Sequence, residues 1–252
     1  MRVALSVVII TKNAARQLEQ TLQSVSWANE LVIVDSGSTD QTLAIASAYH
    51  AKVIHQDWLG FGPQKQFAVQ QASHDWVLCL DADEWLSTEL QFEIKELLNN
   101  PQASAYRFPR CNRFMGRFLK HGEGYPDWSL RLFDRRHARW SDDLVHEYVI
   151  SDLPVENLKH DLMHESGEDI ALYLSKQNRY TTLQAETLHR RGKRVGWPKL
   201  LFSPLLRFFK FYVLRRGFLD GVPGLVHISI GCFNSYIKYA KLIELRRLEK
   251  HS

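Results

Sequence analysis

Asp81-Ala82-Asp83 follows the apolar run Trp76 to Leu80 without a break. Side chains at i and i+2 of a strand end point to one side. Two carboxylates so placed can share a hard divalent cation, because Mg²⁺ or Mn²⁺ takes oxygen ligands and commonly links carboxylates to a phosphate. Glu84 adds a third acidic group. The plain alternative is a solvated acidic turn that caps the next helix. Asp35 ends a second apolar run, Leu31 to Val34, within Asp35-Ser36-Gly37-Ser38-Thr39-Asp40. A carboxylate there can accept hydrogen bonds from a nucleobase N–H or a ribose hydroxyl. An Asx-turn with a helix cap is the alternative, and it suits Asp40 better than Asp35. Thr11, with Asn13 close by, ends the first apolar run. It is placed either to touch the same nucleotide or to cap the helix that follows.

Such side chains need a scaffold that brings strand ends together. Val3 to Ile10 is continuously apolar and β-branched, the pattern of a strand buried on both faces. Ala14 to Val25 carries Leu18, Leu22 and Val25 at helical spacing. Helices are also expected at Gln41 to Tyr49, Pro63 to Ala72 and Thr88 to Leu98, and strands at Leu31 to Val34, Lys52 to His55 and Trp76 to Leu80. Alternation of this kind implies right-handed βαβ crossovers and an α/β fold on a mainly parallel sheet with helices on both faces. Ligands of such sheets sit outside the carboxyl ends of the strands. Thr11 to Asn13, Asp35 to Asp40 and Asp81 to Glu84 all fall there.

Beyond Ser104 the pattern breaks into short β-like pieces, Ala105 to Pro109, Leu130 to Phe133 and Val145 to Ile150. From about Glu168 it becomes helical and basic. Residues 168–252 hold 16 of the 32 Lys and Arg but only 6 of the 28 Asp and Glu. The expected division is a nucleotide-binding and catalytic domain over 1–167 and a basic helical region over 168–252. An acidic front suits a metal site, and a basic back suits anionic partners. In Leu200 to Leu214, Phe and Tyr are mixed with Arg207 and Lys210, as in segments that lie in a membrane interface. A helix packed on the catalytic domain is the alternative. No nucleic-acid module is recognisable, so nucleic acid is not an expected partner. No secretory leader or uninterrupted spanning segment is evident, and Cys79, Cys111 and Cys232 show no framework spacing. A chain with reduced thiols, kept in the cytoplasm, is expected.

Three motifs in this order resemble family 2 glycosyltransferases of the GT-A fold. They are Ser6-Val7-Val8-Ile9-Ile10-Thr11-Lys12-Asn13, Val32-Ile33-Val34-Asp35-Ser36-Gly37-Ser38-Thr39-Asp40 and Leu80-Asp81-Ala82-Asp83-Glu84. Asp127-Trp128-Ser129-Leu130-Arg131-Leu132-Phe133, Val145-His146-Glu147 and Arg216-Gly217-Phe218-Leu219-Asp220-Gly221 extend the likeness to bacterial lipopolysaccharide core β-1,4-glucosyltransferases. The resemblance implies a nucleotide-sugar donor, UDP-glucose, and inversion at the anomeric carbon. It implies a lipid-linked saccharide acceptor at the inner face of the cytoplasmic membrane, with peripheral contact. It places Asp35 on uracil or ribose, Thr11 and Asn13 in the nucleotide pocket, Asp81 on ribose or metal, and Asp83 on metal.

A base must take the proton of the acceptor hydroxyl. Glu147 is the first candidate, with His146 as a further metal or pyrophosphate ligand; Asp127 and Asp142 compete, and a half-exposed strand pair is the alternative for His146 and Glu147. Lys65-Gln66 stand where many relatives carry Arg-Asn, and Lys65 can reach the diphosphate as a point charge without the guanidinium fork. Arg131 faces either an acceptor anion or an ion pair within the fold. Arg136-His137-Ala138-Arg139-Trp140 lacks the Gln of the processive motif, so transfer of a single sugar is expected. A polyprenyl-phosphate sugar synthase is the alternative enzyme, a nucleotidyltransferase lacks its Gly-rich basic loop, and a nucleotide- or membrane-binding pseudoenzyme is the non-catalytic alternative.

Overall fold

The computed structural model describes residues 3–144, 147–167 and 169–249. His146 therefore lies outside the described residues. The chain forms two compact units, residues 1–110 with 127–165, and residues 111–126 with 166–252. Nothing in the sequence marks the excursion 111–126 as part of the second unit.

The first unit begins with β1 (Leu5–Thr11), α1 (Leu18–Val25), β2 (Glu30–Asp35), α2 (Thr42–Ala48), β3 (Lys52–His55) and α3 (Phe61–Gln70). It continues through β4 (Trp76–Asp81), β5 (Glu84–Leu86), α4 (Thr88–Leu97) and β6 (Ala105–Phe114). After β7 (Arg117–Phe118), which lies in the 111–126 excursion of the second unit, come β8 (Asp127–Asp134), β9 (Ala138–Trp140), β10 (Val149–Ser151), β11 (Val155–Asn157) and β12 (Leu162–His164). The main sheet runs β3-β2-β1-β4-β8-β6-β12-β5. β3, β2, β1 and β4 are parallel; β8 then adds antiparallel to β4, and β6 antiparallel to β8.

Alternation along β1 shows why its sequence is apolar throughout. Val7 and Ile9 pack with Leu18 and Leu22 of α1 and with Leu90 and Ile94 of α4. Val8 packs on the other face with Ala68 and Val69 of α3. Both faces are covered, and each such aliphatic side chain fully removed from water contributes about 1.5–3 kcal/mol. Ser87 caps α4 by accepting from the Leu90 N–H at 3.1 Å, which fixes the start of that helix.

Two boundaries differ from expectation for local reasons. Asn13 takes a left-handed backbone with φ of 52°, so the chain turns after β1 and α1 begins only at Leu18. β6 runs past Pro109, which lacks a donor and marks the strand's expected end; the strand carries a register shift at Tyr106/Arg107.

The second unit holds α5 (Ile170–Arg190), α6 (Trp197–Phe208), a π-helical turn Phe209–Leu214, a 3₁₀ turn Gly217–Asp220 and α7 (Gly221–Glu249). Asp220 is buried, and its carboxylate accepts from the backbone N–H groups of Lys120 and His121. That anchor ties the excursion 111–126 to this unit. Among the described residues, no helix is long and apolar enough to cross a membrane.

Candidate active site

The carboxyl ends of β1, β2 and β4 lie side by side, because Thr11 stands opposite Asp35 and Ile10 opposite Asp81 in register. The sequence-predicted residues Thr11, Asp35 and Asp81 are thereby placed along one rim. Lys65 reaches it from α3. Its ammonium lies 2.9 Å from Asp81 Oδ1 and 2.8 Å from Glu147 Oε1. The Lys65 side chain is 6% exposed and that of Glu147 16%.

The loop before Glu147 is held by α3 itself. The Phe61 and Gly62 N–H groups donate to the Leu144 and Asp143 carbonyls, each at 3.1 Å. A Cβ at Gly62 would stand 2.2 Å from the Ser141 carbonyl oxygen, so only glycine allows this approach. Gln66 accepts from the Trp140 N–H at 2.9 Å, and Lys65 lies 4.8 Å over the Trp140 ring. The pair Lys65-Gln66 thus fixes both the cation and the aromatic wall beside it. A small cavity of about 10 Å³ lined by Lys65, Cys79, Asp81, Arg131 and Trp140 backs the rim.

Arg131 is an ion pair within the fold rather than a free cation for an acceptor. Its Nη2 donates to Asp81 Oδ2 and to Glu84 Oε1, both at 3.0 Å, and its side chain is 9% exposed. Glu84 is likewise no third ligand for a cation. It is fully buried, Oε1 also accepts from Arg110 at 3.1 Å, and Oε2 accepts from the Asp81 N–H at 3.1 Å. Burial pushes the Glu84 carboxyl up, but the charges of Arg131 and Arg110 outweigh it and hold the group well below the usual carboxylate range. Arg110 continues to Asp127, donating from Nε at 2.9 Å and from Nη2 at 2.6 Å. Asp127 is therefore clamped, whereas Glu147 meets the rim. Asp142 pairs loosely with Arg139 at 3.6 Å on an exposed turn and does not join the site.

Asp35 is buried and its Oδ2 accepts from the N–H groups of Gly37 at 2.9 Å and Ser38 at 2.8 Å. That is the Asx-turn of the alternative reading, and it orients the carboxylate at the rim without using all its lone pairs. Asp40 accepts from the Thr42 N–H at 3.0 Å, the local role expected of it. The Asn13 side chain accepts from the Thr39 N–H at 2.8 Å, a tie between loops. Thr11 Oγ1 is buried and, among the described residues, has no hydrogen-bond partner. A buried hydroxyl without a partner is costly unless a ligand supplies one.

His164 joins the site without any signal in the sequence. It ends β12, pairs in register with Glu84, and brings Nε2 to 3.4 Å from Asp83 Oδ2. Burial lowers its affinity for a proton, but the hydrogen bond and charge of Asp83 outweigh that and raise it. A lone His far along the chain gives no spacing to read. Among the described residues no three His, Cys, Asp or Glu side chains converge as a ready cage for a metal ion. One carboxylate and one imidazole at an open rim do suit a divalent cation whose remaining ligands are phosphate oxygens and water.

All three cysteines are free thiols. Burial pushes Cys79 up to about 12, and Cys111 is also buried. In the native protein at pH 8, thiol alkylation followed by mass spectrometry is expected to modify only Cys232, with all three modified once the chain is unfolded.

The sequence model "Glycosyl transferase family 2" matches residues 6–150. An uncharacterized glycosyltransferase of Rickettsia bellii is 33% identical over 256 residues, spanning 96% of this chain and 86% of that protein. LpsC of Rhizobium meliloti, a lipopolysaccharide core biosynthesis glycosyltransferase, is 29% identical over 256 residues, spanning 98% and 95%. The structure of S. aureus TarS 1–349 in complex with UDP-GlcNAc superposes with a TM-score of 0.50 at 16% identity, covering 97% of this chain and 92% of that one. That last likeness is one of fold, the GT-A arrangement.

Proposed function

We propose, given that this chain belongs to Glycosyl transferase family 2 and is a glycosyltransferase enzyme, that it transfers one hexose, glucose from UDP-glucose, with inversion to a lipopolysaccharide inner-core acceptor. The meeting of Asp81, Lys65 and Glu147 at the carboxyl rim of the sheet carries this reading. It sets a carboxylate able to accept a proton beside the cation that a nucleoside diphosphate requires. LpsC acts in lipopolysaccharide core biosynthesis, and its whole-length similarity supports the acceptor class. A lipid-linked acceptor implies work at the cytoplasmic face of the membrane, with the chain bound peripherally.

In this reading Thr11 and Asp35 take the uridine, with the Thr11 hydroxyl gaining the partner it lacks. Lys65 faces the diphosphate. Asp83 and His164 would hold the Mg²⁺ or Mn²⁺, which when bound neutralises charge on the departing diphosphate. Glu147 accepts the proton of the acceptor hydroxyl as that oxygen attacks the anomeric carbon. The bond from that carbon to the diphosphate oxygen breaks on the opposite face, so the configuration inverts. Asp127, clamped by Arg110, shapes the wall and takes no proton.

Thermal shift against UDP-, GDP- and dTDP-sugars, with and without Mn²⁺, tests the donor side. At a hundredfold excess over Kd, a bound ligand adds about 2.7 kcal/mol, or roughly 5–10 °C for a chain of this size. UDP or UDP-glucose with Mn²⁺ is expected to give that shift, and Asp83→Ala to give a smaller one. No shift with any nucleotide sinks the reading.

A further inference from the structure

The second unit carries a surface that the chemistry of transfer does not use. On α6, Trp197, Leu201 and Leu205 repeat every four residues, and Phe202 and Leu206 lie next to them. Trp197 and Leu206 are each 68% exposed, Leu205 63%, and Leu214 in the π-helical turn 66%. None of the α6 side chains is buried. The opposite side of the helix is the packed one. Ser203 shares a hydrogen bond of 2.7 Å with Ser235 of α7, and Arg207 turns inward to pair with Glu123. The exposed stripe is therefore a continuous apolar face that, among the described residues, has no partner in this unit, larger than scattered surface leucines explain.

Charge surrounds it with one sign. Residues 190–216 contain nine Lys and Arg, and no Asp or Glu occurs from Thr187 to Leu219. Lys199, Lys210, Arg215 and Arg216 are exposed on α6 and just after it, with Lys199 at the edge where α6 meets the Tyr239 ring of α7. An apolar face on a segment that carries exposed cations and no carboxylate of its own is complementary to a lipid surface with anionic head groups. It is poorly matched to a second copy of itself, whose cations would meet like charge.

We propose that α6 and the turn that follows it form an interfacial docking surface for an anionic phospholipid bilayer. The apolar stripe enters the head-group and acyl boundary, and the flanking cations pair with lipid phosphates. The helix lies in the plane of the interface and does not span it. The proposal extends the reading of a lipid-linked acceptor, and rests on it only for the purpose that docking serves.

Sedimentation of the purified full-length chain with vesicles tests it without any nucleotide or acceptor. Binding is expected to vesicles of phosphatidylcholine containing phosphatidylglycerol, to be weak on phosphatidylcholine alone, and to fall as salt is raised. Lys199→Ala with Lys210→Ala should weaken partitioning about 25-fold, roughly fivefold per cation. Leu205→Glu with Leu206→Glu should abolish it, with circular dichroism unchanged because both side chains are exposed. Equal binding to neutral vesicles, or no effect of either double variant, overturns the proposal. So does a dimer in lipid-free ultracentrifugation that the Leu205 and Leu206 changes dissociate, since a second copy would then be the occupant. Vesicle binding by a chain that shows no nucleotide shift would leave this surface standing and remove the proposed UDP-glucose donor; the reverse outcome would do the opposite.

Discussion

Glu147→Gln is expected to lower kcat by about 10³-fold, within the range by which positioned bases contribute to proton transfer. The amide keeps the shape of the carboxylate, and its oxygen can still accept from Lys65, which stands 2.8 Å from Glu147 Oε1. The loop is anchored independently through the carbonyls of Asp143 and Leu144. Fold and nucleotide-dependent thermal shift should therefore survive while turnover is lost. Asp127→Asn makes the comparison informative. Arg110 already occupies Asp127 with two N–H groups, so its loss is expected to disturb the wall and cost less than about tenfold, below what a base contributes. Initial rates of glycosyl transfer, measured at saturating donor, decide between them. A larger loss with Asp127→Asn than with Glu147→Gln would move the base to Asp127.

The sheet was legible because its physics is local. Continuous apolar runs such as Val3 to Ile10 have one stable solution, a strand covered on both faces, and the polar residues that interrupt them fall at strand ends. Thr11, Asp35 and Asp81 could be placed at strand ends for that reason. Register then did the rest, since Thr11 opposite Asp35 and Ile10 opposite Asp81 follow from parallel pairing. The charge partners were not legible. Glu84 reads as one more acidic group beside Asp83. Only the antiparallel return of β8 and β6 delivers Arg131 and Arg110 to it, from 47 and 26 residues away. His164 is further still, and its approach to Asp83 depends on β12 pairing with β5. A hint existed in Arg110 and Arg131 themselves. A cation inside an apolar strand either faces a ligand or has a buried counter-charge, and here the structure gives the second.

That buried cluster has the larger consequence for stability. Glu84 accepts from both Arg131 and Arg110, and also from the Asp81 N–H. Glu84→Gln removes the negative charge from a buried site, leaving Arg131 with Asp81 and Arg110 with Asp127. Breaking a buried ion pair from one side typically costs about 3–5 kcal/mol. For a chain of this size that is a fall of about 6–20 °C in the midpoint of thermal unfolding, measurable by calorimetry at pH 7. The pH dependence gives an independent check. The folded carboxyl titrates below its unfolded value, which lies at about 4.3. Its stabilisation is therefore complete above that value and disappears as pH falls through the folded one. The gap between wild type and Glu84→Gln is expected to be constant from pH 8 to about 5 and to narrow in stronger acid. A midpoint unchanged at pH 7 would mean that Arg131 and Arg110 do not need this counter-charge. The cluster would then be an arrangement for aiming Asp81 into the site, and the loss would surface in the KM for the sugar donor instead.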